Sequence, residues 1–259
     1  MSTAPDGNIL EITNLTKRFG GLVAVDNVSL SIKRGEVFAL IGPNGAGKTT
    51  LFNNVTGLFQ PTAGRVVFDG RDVTGSKPHQ VARYGIARTF QNIRLFDYMT
   101  CIDNVRVGRH VRMHAKLWDS LLKTRRERKE EGRTTDEAME LLKFVGISKH
   151  AHQYARNLPY GQQRRLEIAR ALATDPKLLL LDEPAAGFTP QEKVELMQLV
   201  HKILDRGVTV FLIEHDMKVV MGISERIVVL DHGEKIAEGP PEEVRKDARV
   251  IEAYLGKSA

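Results

Sequence analysis

The chain has 259 residues, 42% of them apolar, and a single cysteine, Cys101. That length buries a full core as one large domain or two small ones, the lone thiol excludes an internal disulfide and fits a reducing cytosol, and no apolar run reaches the roughly 18 residues that a membrane-spanning helix needs. Met1 to Asn8 carries no basic-then-apolar export signal. The net charge is +6, and nine Lys/Arg against four Asp/Glu lie between Arg109 and Arg133. A solvated helix face, a contact with acidic lipid and a nucleic-acid contact are all open for that basic segment.

Ile9 to Leu15 alternates as a strand, Phe19-Gly20-Gly21 forms a turn, and Leu22 to Ile32 reads as one or two strands with Asp26-Asn27 between them. Phe19 is either a platform for a purine ring or an ordinary core aromatic. Val37 to Ile41 is a short buried strand running into Gly42-Pro43-Asn44-Gly45-Ala46-Gly47-Lys48-Thr49-Thr50. This stretch fits G-x-x-x-x-G-K-[ST] at every fixed position, and a helix opens after it at Leu51. Glycines bring backbone N–H groups close to phosphate oxygens without a Cβ in the way. The helix N-terminus adds unpaired donors and partial positive charge. Lys48 reaches the β- and γ-phosphates, and the Thr49 hydroxyl is the expected Mg²⁺ ligand. A Gly-rich turn capping an ordinary βα unit is the bland alternative, and strand, loop, lysine, hydroxyl and helix together argue against it.

Gly64 to Gly70 is a strand ending in a turn, and Gly85 to Gln91 reads as a strand delivering Gln91 to an edge, with a solvated loop glutamine as the other reading. Residues 92–157 form a mainly helical insertion between two halves of an α/β core. Thr134 and Glu137 have capping-box spacing, Ala138, Leu141, Leu142 and Val145 recur at helical spacing, and Gly146 stops the run. Leu158-Pro159-Tyr160-Gly161-Gln162-Gln163 precedes a helix expected over Arg164 to Thr174. Such a loop either presents donors to an anion or is a plain helix entry.

Leu178-Leu179-Leu180-Leu181-Asp182-Glu183 is a strand covered on both faces, with two carboxylates at its C-terminal end, where parallel sheets place ligands. Asp182 is expected to hold the Mg²⁺ shell, and Glu183 to orient or deprotonate a water for in-line attack on a γ-phosphate. Glu192 to Leu204 is an amphipathic helix, and Val208 to Ile213 a buried strand ending in Glu214-His215-Asp216. His215 either reaches a ligand from that strand end or is a surface histidine. Arg226 to Leu230 and Lys235 to Glu238 form a hairpin, and Pro240-Pro241 starts a helical tail.

Together these motifs resemble the nucleotide-binding subunit of ABC transporters over essentially the full length. Gly42 to Thr50 matches the Walker A loop, Leu178 to Asp182 Walker B, Glu183 the catalytic glutamate, Gln91 the Q-loop, Leu158 to Gln162 the signature loop and His215 the switch histidine. Phe19 falls where the family places its adenine-stacking aromatic. Ala87 to Phe96, Gln163 to Arg170, Ile213 to Met217 and Ala253 to Gly256 resemble the LivG type of branched-chain amino-acid importer, and several of them also resemble urea-import and lipopolysaccharide-export ATPases. Two positions depart from the family pattern. The signature reads Leu158-Pro159-Tyr160-Gly161-Gln162, where Pro159 removes a hydroxyl and an N–H. Thr189 stands where the family usually has an aspartate.

The resemblance implies an α/β fold: a P-loop NTPase (RecA-like) core over 1–91 and 158–240 with an N-terminal antiparallel β subdomain, a helical insertion over 92–157 and a tail over 241–259. It implies ATP and Mg²⁺ as cofactors, with Lys48, Gln91, Glu183 and His215 catalytic and with Thr49, Gln91 and Asp182 around the metal. It implies a second ABC ATPase subunit, identical or related, whose signature loop closes over this chain's ATP. Two membrane permease subunits and, indirectly, a periplasmic substrate-binding protein complete the assembly, on the cytoplasmic face of the inner membrane. No nucleic acid is expected. The other readings are a soluble ABC ATPase of translation or DNA repair and a non-hydrolysing regulatory subunit, the latter favoured by Pro159 and Thr189.

Overall fold

The computed structural model describes residues 7–109 and 125–255, and most of the basic segment between Arg109 and Arg133 lies outside them. The chain divides into two compact units, Met1–Arg88 with Lys177–Ala259, and Thr89–Pro176. The helix that follows the signature loop therefore goes with the helical unit, whereas the expected core resumed at residue 158.

The first unit holds two sheets. β1 (Asn8–Phe19), β2 (Leu22–Lys33), β4 (Ala63–Phe68) and β5 (Arg71–Asp72) form an antiparallel sheet in the order β2-β1-β4-β5. β2 is one continuous strand. Asn27 takes φ 49°, and the β1–β2 register shifts on either side of Leu15, so the polar pair at 26–27 bends the strand rather than ending it. The second sheet orders β10 (Glu234–Gly239), β9 (Arg226–Asp231), β3 (Val37–Ile41), β8 (Thr209–Ile213), β7 (Leu178–Asp182) and β6 (Ile86–Arg88). Only β10 is antiparallel to its neighbour.

β3, β7 and β8 are buried at every position, as continuous apolar runs in a parallel sheet require. Alternation sorts their side chains. Phe38 and Leu40 join a core with Leu51 and Phe52 of α1 (Lys48–Val55), while Ala39 and Ile41 face a second cluster with Val220, Val229, Val244 and Val250. Phe52 packs 4.6 Å from Phe211, centroid to centroid, and burying one such ring is worth about 2–3 kcal/mol. α2 (Pro78–Tyr84) leads into β6, and α6 (Pro190–Asp205) and α7 (Met217–Ile223) flank β8 in the chain. The tail comprises α8 (Pro241–Val244) and α9 (Ala248–Leu255).

The second unit contains α3 (Cys101–Arg109), α4 (Arg125–Phe144) and α5 (Tyr160–Leu172). Three local expectations are corrected. Thr134 and Glu137 lie inside α4 and do not start it. The preceding Arg, Glu and Lys residues are good helix formers, and the Glu137 carboxylate pairs with Arg133 and Arg109 instead of capping. β6 stops at Arg88, so Gln91 is in a loop and not on a strand. α5 begins at Tyr160 with Pro159 as N-cap, because proline's fixed φ suits a helix entrance.

Candidate nucleotide site

In the first unit the carboxylates of interest and the start of the glycine loop sit at the C-terminal ends of parallel strands. β3 delivers Gly42, β7 delivers Asp182 and Glu183, and β8 delivers Glu214 and His215. The loop between β3 and α1 is glycine-dependent at two places. Gly42 takes φ 150° and a Cβ there would lie 2.1 Å from the Leu230 carbonyl oxygen. Gly47, the N-cap of α1, takes φ 97° and a Cβ would lie 2.3 Å from the Ala24 oxygen. Any side chain at either point would push the loop off the adjoining backbone. Asn44, Gly45 and Thr49 are exposed, and α1 points the N–H groups of its first turn into the same opening.

Lys48 is buried and its ammonium donates to the carbonyls of Gly42 at 2.7 Å and Pro43 at 2.8 Å. Burial pulls its pKa below the ordinary lysine value, opposed by the charges of Glu183 and Asp182. Asp182 is 2% exposed and pairs with Arg88 at 2.7 Å. Glu183 takes a left-handed φ of 47° and its N–H donates to the Ile213 carbonyl at 2.9 Å. That hydrogen bond closes the β7–β8 ladder, and the left-handed φ ends the strand at this residue. The His215 Nδ1 stands 3.7 Å from the Glu183 Oε2. Phe19 is 42% exposed, edge-on to Phe59 at 5.2 Å, with the Lys17 ammonium 4.8 Å from its centroid, so it is not a core aromatic.

The residues fit magnesium. Thr49 and Asp182 offer hard oxygen donors only, and among the described residues no cluster of three or more His, Cys, Asp or Glu gathers. Magnesium is typically held by one or two carboxylates and completed by substrate phosphates and water.

In the second unit, Leu158 is buried and Pro159 and Tyr160 are exposed. Tyr160, Gly161 and Gln162 form the first turn of α5, so Gly161 sits where a helix presents N–H groups without acceptors of its own. Gln91 is exposed, and its carbonyl accepts from the Arg164 Nη2 at 2.8 Å.

Several residues here had no assignment from the sequence. Glu214, 1% exposed, accepts from the N–H groups of Ala185, His215 and Asp216, and so ties the turn after Glu183 to the turn carrying His215. Arg88, Arg164 and Glu167 form buried ion pairs. The Tyr254 hydroxyl of α9 shares a hydrogen bond with the Gly42 backbone. A carboxylate within a strand-end triplet was the one available signal for Glu214; the others are long-range. Thr189 caps α6: its N–H donates to the Glu192 carboxylate at 2.8 Å, and its hydroxyl accepts from the Glu192 N–H at 3.3 Å, with Pro190 next. The departure at that position therefore has a structural role.

Residues 25–186 match the family model described as ABC transporter, and residues 234–259 match the model described as branched-chain amino acid ATP-binding cassette transporter. The chain is 48% identical to the high-affinity branched-chain amino acid transport ATP-binding protein LivG of Salmonella typhimurium, over 96% of this chain and 98% of that one. The ADP conformation of MJ1267, an ATP-binding cassette of an ABC transporter, superposes with a TM-score of 0.85 at 35% identity, covering 97% of this chain and all of that one. A dimeric post-hydrolysis state of the cassette MJ0796 bound to ADP and Pi gives a TM-score of 0.76 at 29% identity, covering 90% of this chain and 98% of that one. The phosphate loop, the paired carboxylates and this end-to-end likeness place the chain in one family: it belongs to the ATP-binding cassette ATPases of ABC transporters.

Proposed function

We propose that this chain is the ATP-hydrolysing subunit of an importer for branched-chain amino acids. The observation that carries the reading is its 48% identity to LivG across nearly the whole of both chains. The match of residues 234–259 to a branched-chain family model supports it independently of the ATPase motifs. The partners are a second ABC ATPase subunit, two membrane permeases and, through them, a periplasmic binding protein. The chain works as a peripheral subunit on the cytoplasmic face. No helix among the described residues is long and apolar enough to cross a membrane.

The geometry above and the family resemblance support the following roles. Backbone donors of Gly42 to Gly47 and the start of α1 bind the phosphates, and Lys48 moves from its loop carbonyls to the β- and γ-oxygens. Phe19 stacks on adenine. Thr49 and Asp182 would hold magnesium, a role the resemblance extends to Gln91, and the bound ion would supply neutralisation of phosphate charge. Glu183 orients a water and takes its proton as the oxygen attacks the γ-phosphorus. The bond to the β–γ bridging oxygen breaks, giving ADP and phosphate. His215, beside Glu183, holds the attacking group in line. Leu158, Pro159, Tyr160, Gly161 and Gln162 close over the ATP of the partner subunit. Release of phosphate removes the contact that holds the two together.

Glu183→Gln tests the chemistry, and uptake tests the cargo. The variant is expected to bind ATP normally and to hydrolyse it at least ~10²-fold more slowly, the usual contribution of positioned proton transfer. Full turnover would remove Glu183 from its role. In cells holding the matching permeases, labelled leucine uptake should vanish with the same variant; uptake that persists would break the cargo assignment.

A further inference from the structure

Arg88 is the last residue of β6 and pairs in register with Leu180 of β7, the strand that ends at Asp182. Its Nη2 donates to the Asp182 Oδ2 at 2.7 Å. Its Nη1 donates to the Asn53 Oδ1 at 2.5 Å and lies 3.4 Å from the Thr56 Oγ1. The guanidinium sits 5.6 Å from the centre of the Phe52 ring. The side chains of Arg88 and Asp182 are 7% and 2% exposed. One guanidinium thus joins three elements: the end of β6, the end of β7, and α1, where Asn53 lies one turn beyond Thr49.

We infer that Arg88 is a positioning residue for magnesium: it sets the span between Asp182 and the helix that carries Thr49. The inference rests on the reading of Thr49 and Asp182 as the metal side of the site. A carboxylate as buried as Asp182 has lost its water and is held by a charged, hydrogen-bonding partner in its place. A planar guanidinium serves as that partner while gripping a second acceptor in a fixed direction, which a lysine ammonium cannot do. The Asp182–Asn53 distance is therefore held before any metal arrives. The chain also passes from the first unit to the second between Arg88 and Thr89, three residues before Gln91. The anchor on Asp182 thus lies at the root of the segment that carries Gln91.

Outer-shell partners of metal ligands typically change metal affinity by about 10–100-fold when lost. The test is binding of a fluorescent ATP analogue to the full chain, titrated with Mg²⁺ and separately in EDTA, for wild type, Arg88→Lys and Arg88→Met. The expected result is a Mg²⁺ half-saturation raised about tenfold or more in both variants, with metal-free analogue affinity held within about twofold because the loop and Lys48 are intact. Circular dichroism and the melting midpoint identify the folded variants. If Arg88→Met does not fold, Asn53→Ala decides, since it cuts the tether to α1 and leaves the ion pair: a raised half-saturation supports the tether. Folded Arg88 variants with wild-type Mg²⁺ dependence, or with metal-free and metal-bound affinity falling together, would overturn the inference while leaving the site intact. A wild-type protein whose nucleotide binding ignores Mg²⁺ would overturn the metal reading of Thr49 and Asp182, and the Arg88 inference with it.

Discussion

Among the described residues each unit buries one arginine–carboxylate pair, and the two pairs serve different ends. In the first unit, Arg88 and Asp182 stand 94 residues apart in sequence and join the ends of two neighbouring strands whose backbones are already paired in the sheet. In the second, Arg164 and Glu167 lie one turn apart on α5, 0% and 1% exposed, and hold backbone that has no ladder of its own. Arg164 donates to the carbonyls of Phe90 at 2.6 Å and Gln91 at 2.8 Å, while Glu167 accepts from the N–H groups of Phe90 and Arg94, each at 3.3 Å. Buried backbone groups must be paired somewhere. Where a sheet does that, an ion pair is left over to fix a carboxylate. Where the chain runs irregularly, the ion pair takes the place of secondary structure. Arg164 also reaches the Tyr160 hydroxyl at 3.4 Å, so the Gln91 segment and the signature loop share one anchor within their unit.

The largest effect expected from this contrast is in Glu167→Ala, which leaves the Arg164 charge buried without its carboxylate. Breaking such a pair costs about 3–5 kcal/mol, and denaturant unfolding should show it, with hydrogen exchange quickened at Phe90 and Arg94. The sharper measurement replaces both members by apolar residues. Arg88→Met with Asp182→Leu should return stability to near wild type while abolishing Mg²⁺ dependence, since apolar replacement of a buried pair is often neutral. Arg164→Met with Glu167→Leu should remain destabilised by about 1–3 kcal/mol, because backbone groups of residues 90–94 lose their partners. Equal recovery in the two double variants would erase the distinction.

This distinction explains what the sequence could and could not reveal. β3, β7 and β8 were legible because buried parallel strands are written as unbroken apolar runs, and the phosphate loop because glycine, lysine and hydroxyl are spaced by the backbone itself. Arg88, Arg164 and Glu167 left no local signal. A charged residue at a strand end or within a helix reads as solvated, and its burial depends on residues far along the chain. The same blindness put a helix start at Thr134: the spacing to Glu137 was correct, but Glu137 is occupied by Arg109 across the unit and by Arg133 one turn back. The strand expected to run to Gln91 stops at Arg88, where the guanidinium turns inward and side chains take over the pairing.

A smaller effect concerns the tail. Val250 packs with Ile41 and Val229, and Tyr254 hydrogen-bonds the Gly42 backbone. Tyr254→Phe keeps the ring and removes the hydroxyl, at a cost of about 1 kcal/mol. A melting shift of a few degrees with unchanged Arg88-dependent Mg²⁺ behaviour is expected. If Mg²⁺ dependence moved as well, the tail would act on the same span as Arg88.

The smallest effect separates the two arginines from Lys48, the buried cation at the phosphate loop. Lys48 has carbonyls as its hydrogen-bond partners, not a carboxylate within contact, and burial lowers its pKa from the ordinary 10.5. Guanidinium groups stay charged throughout, whereas a desolvated ammonium titrates. The sign follows from which form binds. The ammonium attracts phosphate and is lost as pH rises through its pKa in the free protein, so ATP affinity should fall on the alkaline side, beginning below 10.5. Bound phosphates favour the ammonium and push its pKa back up, so ATP binding should take up protons in that range, measurable as a buffer-dependent heat in calorimetry. Lys48→Arg, if it still binds, should lose both the alkaline decline and the proton uptake. An alkaline decline of the same size in that variant would assign the titration to another group.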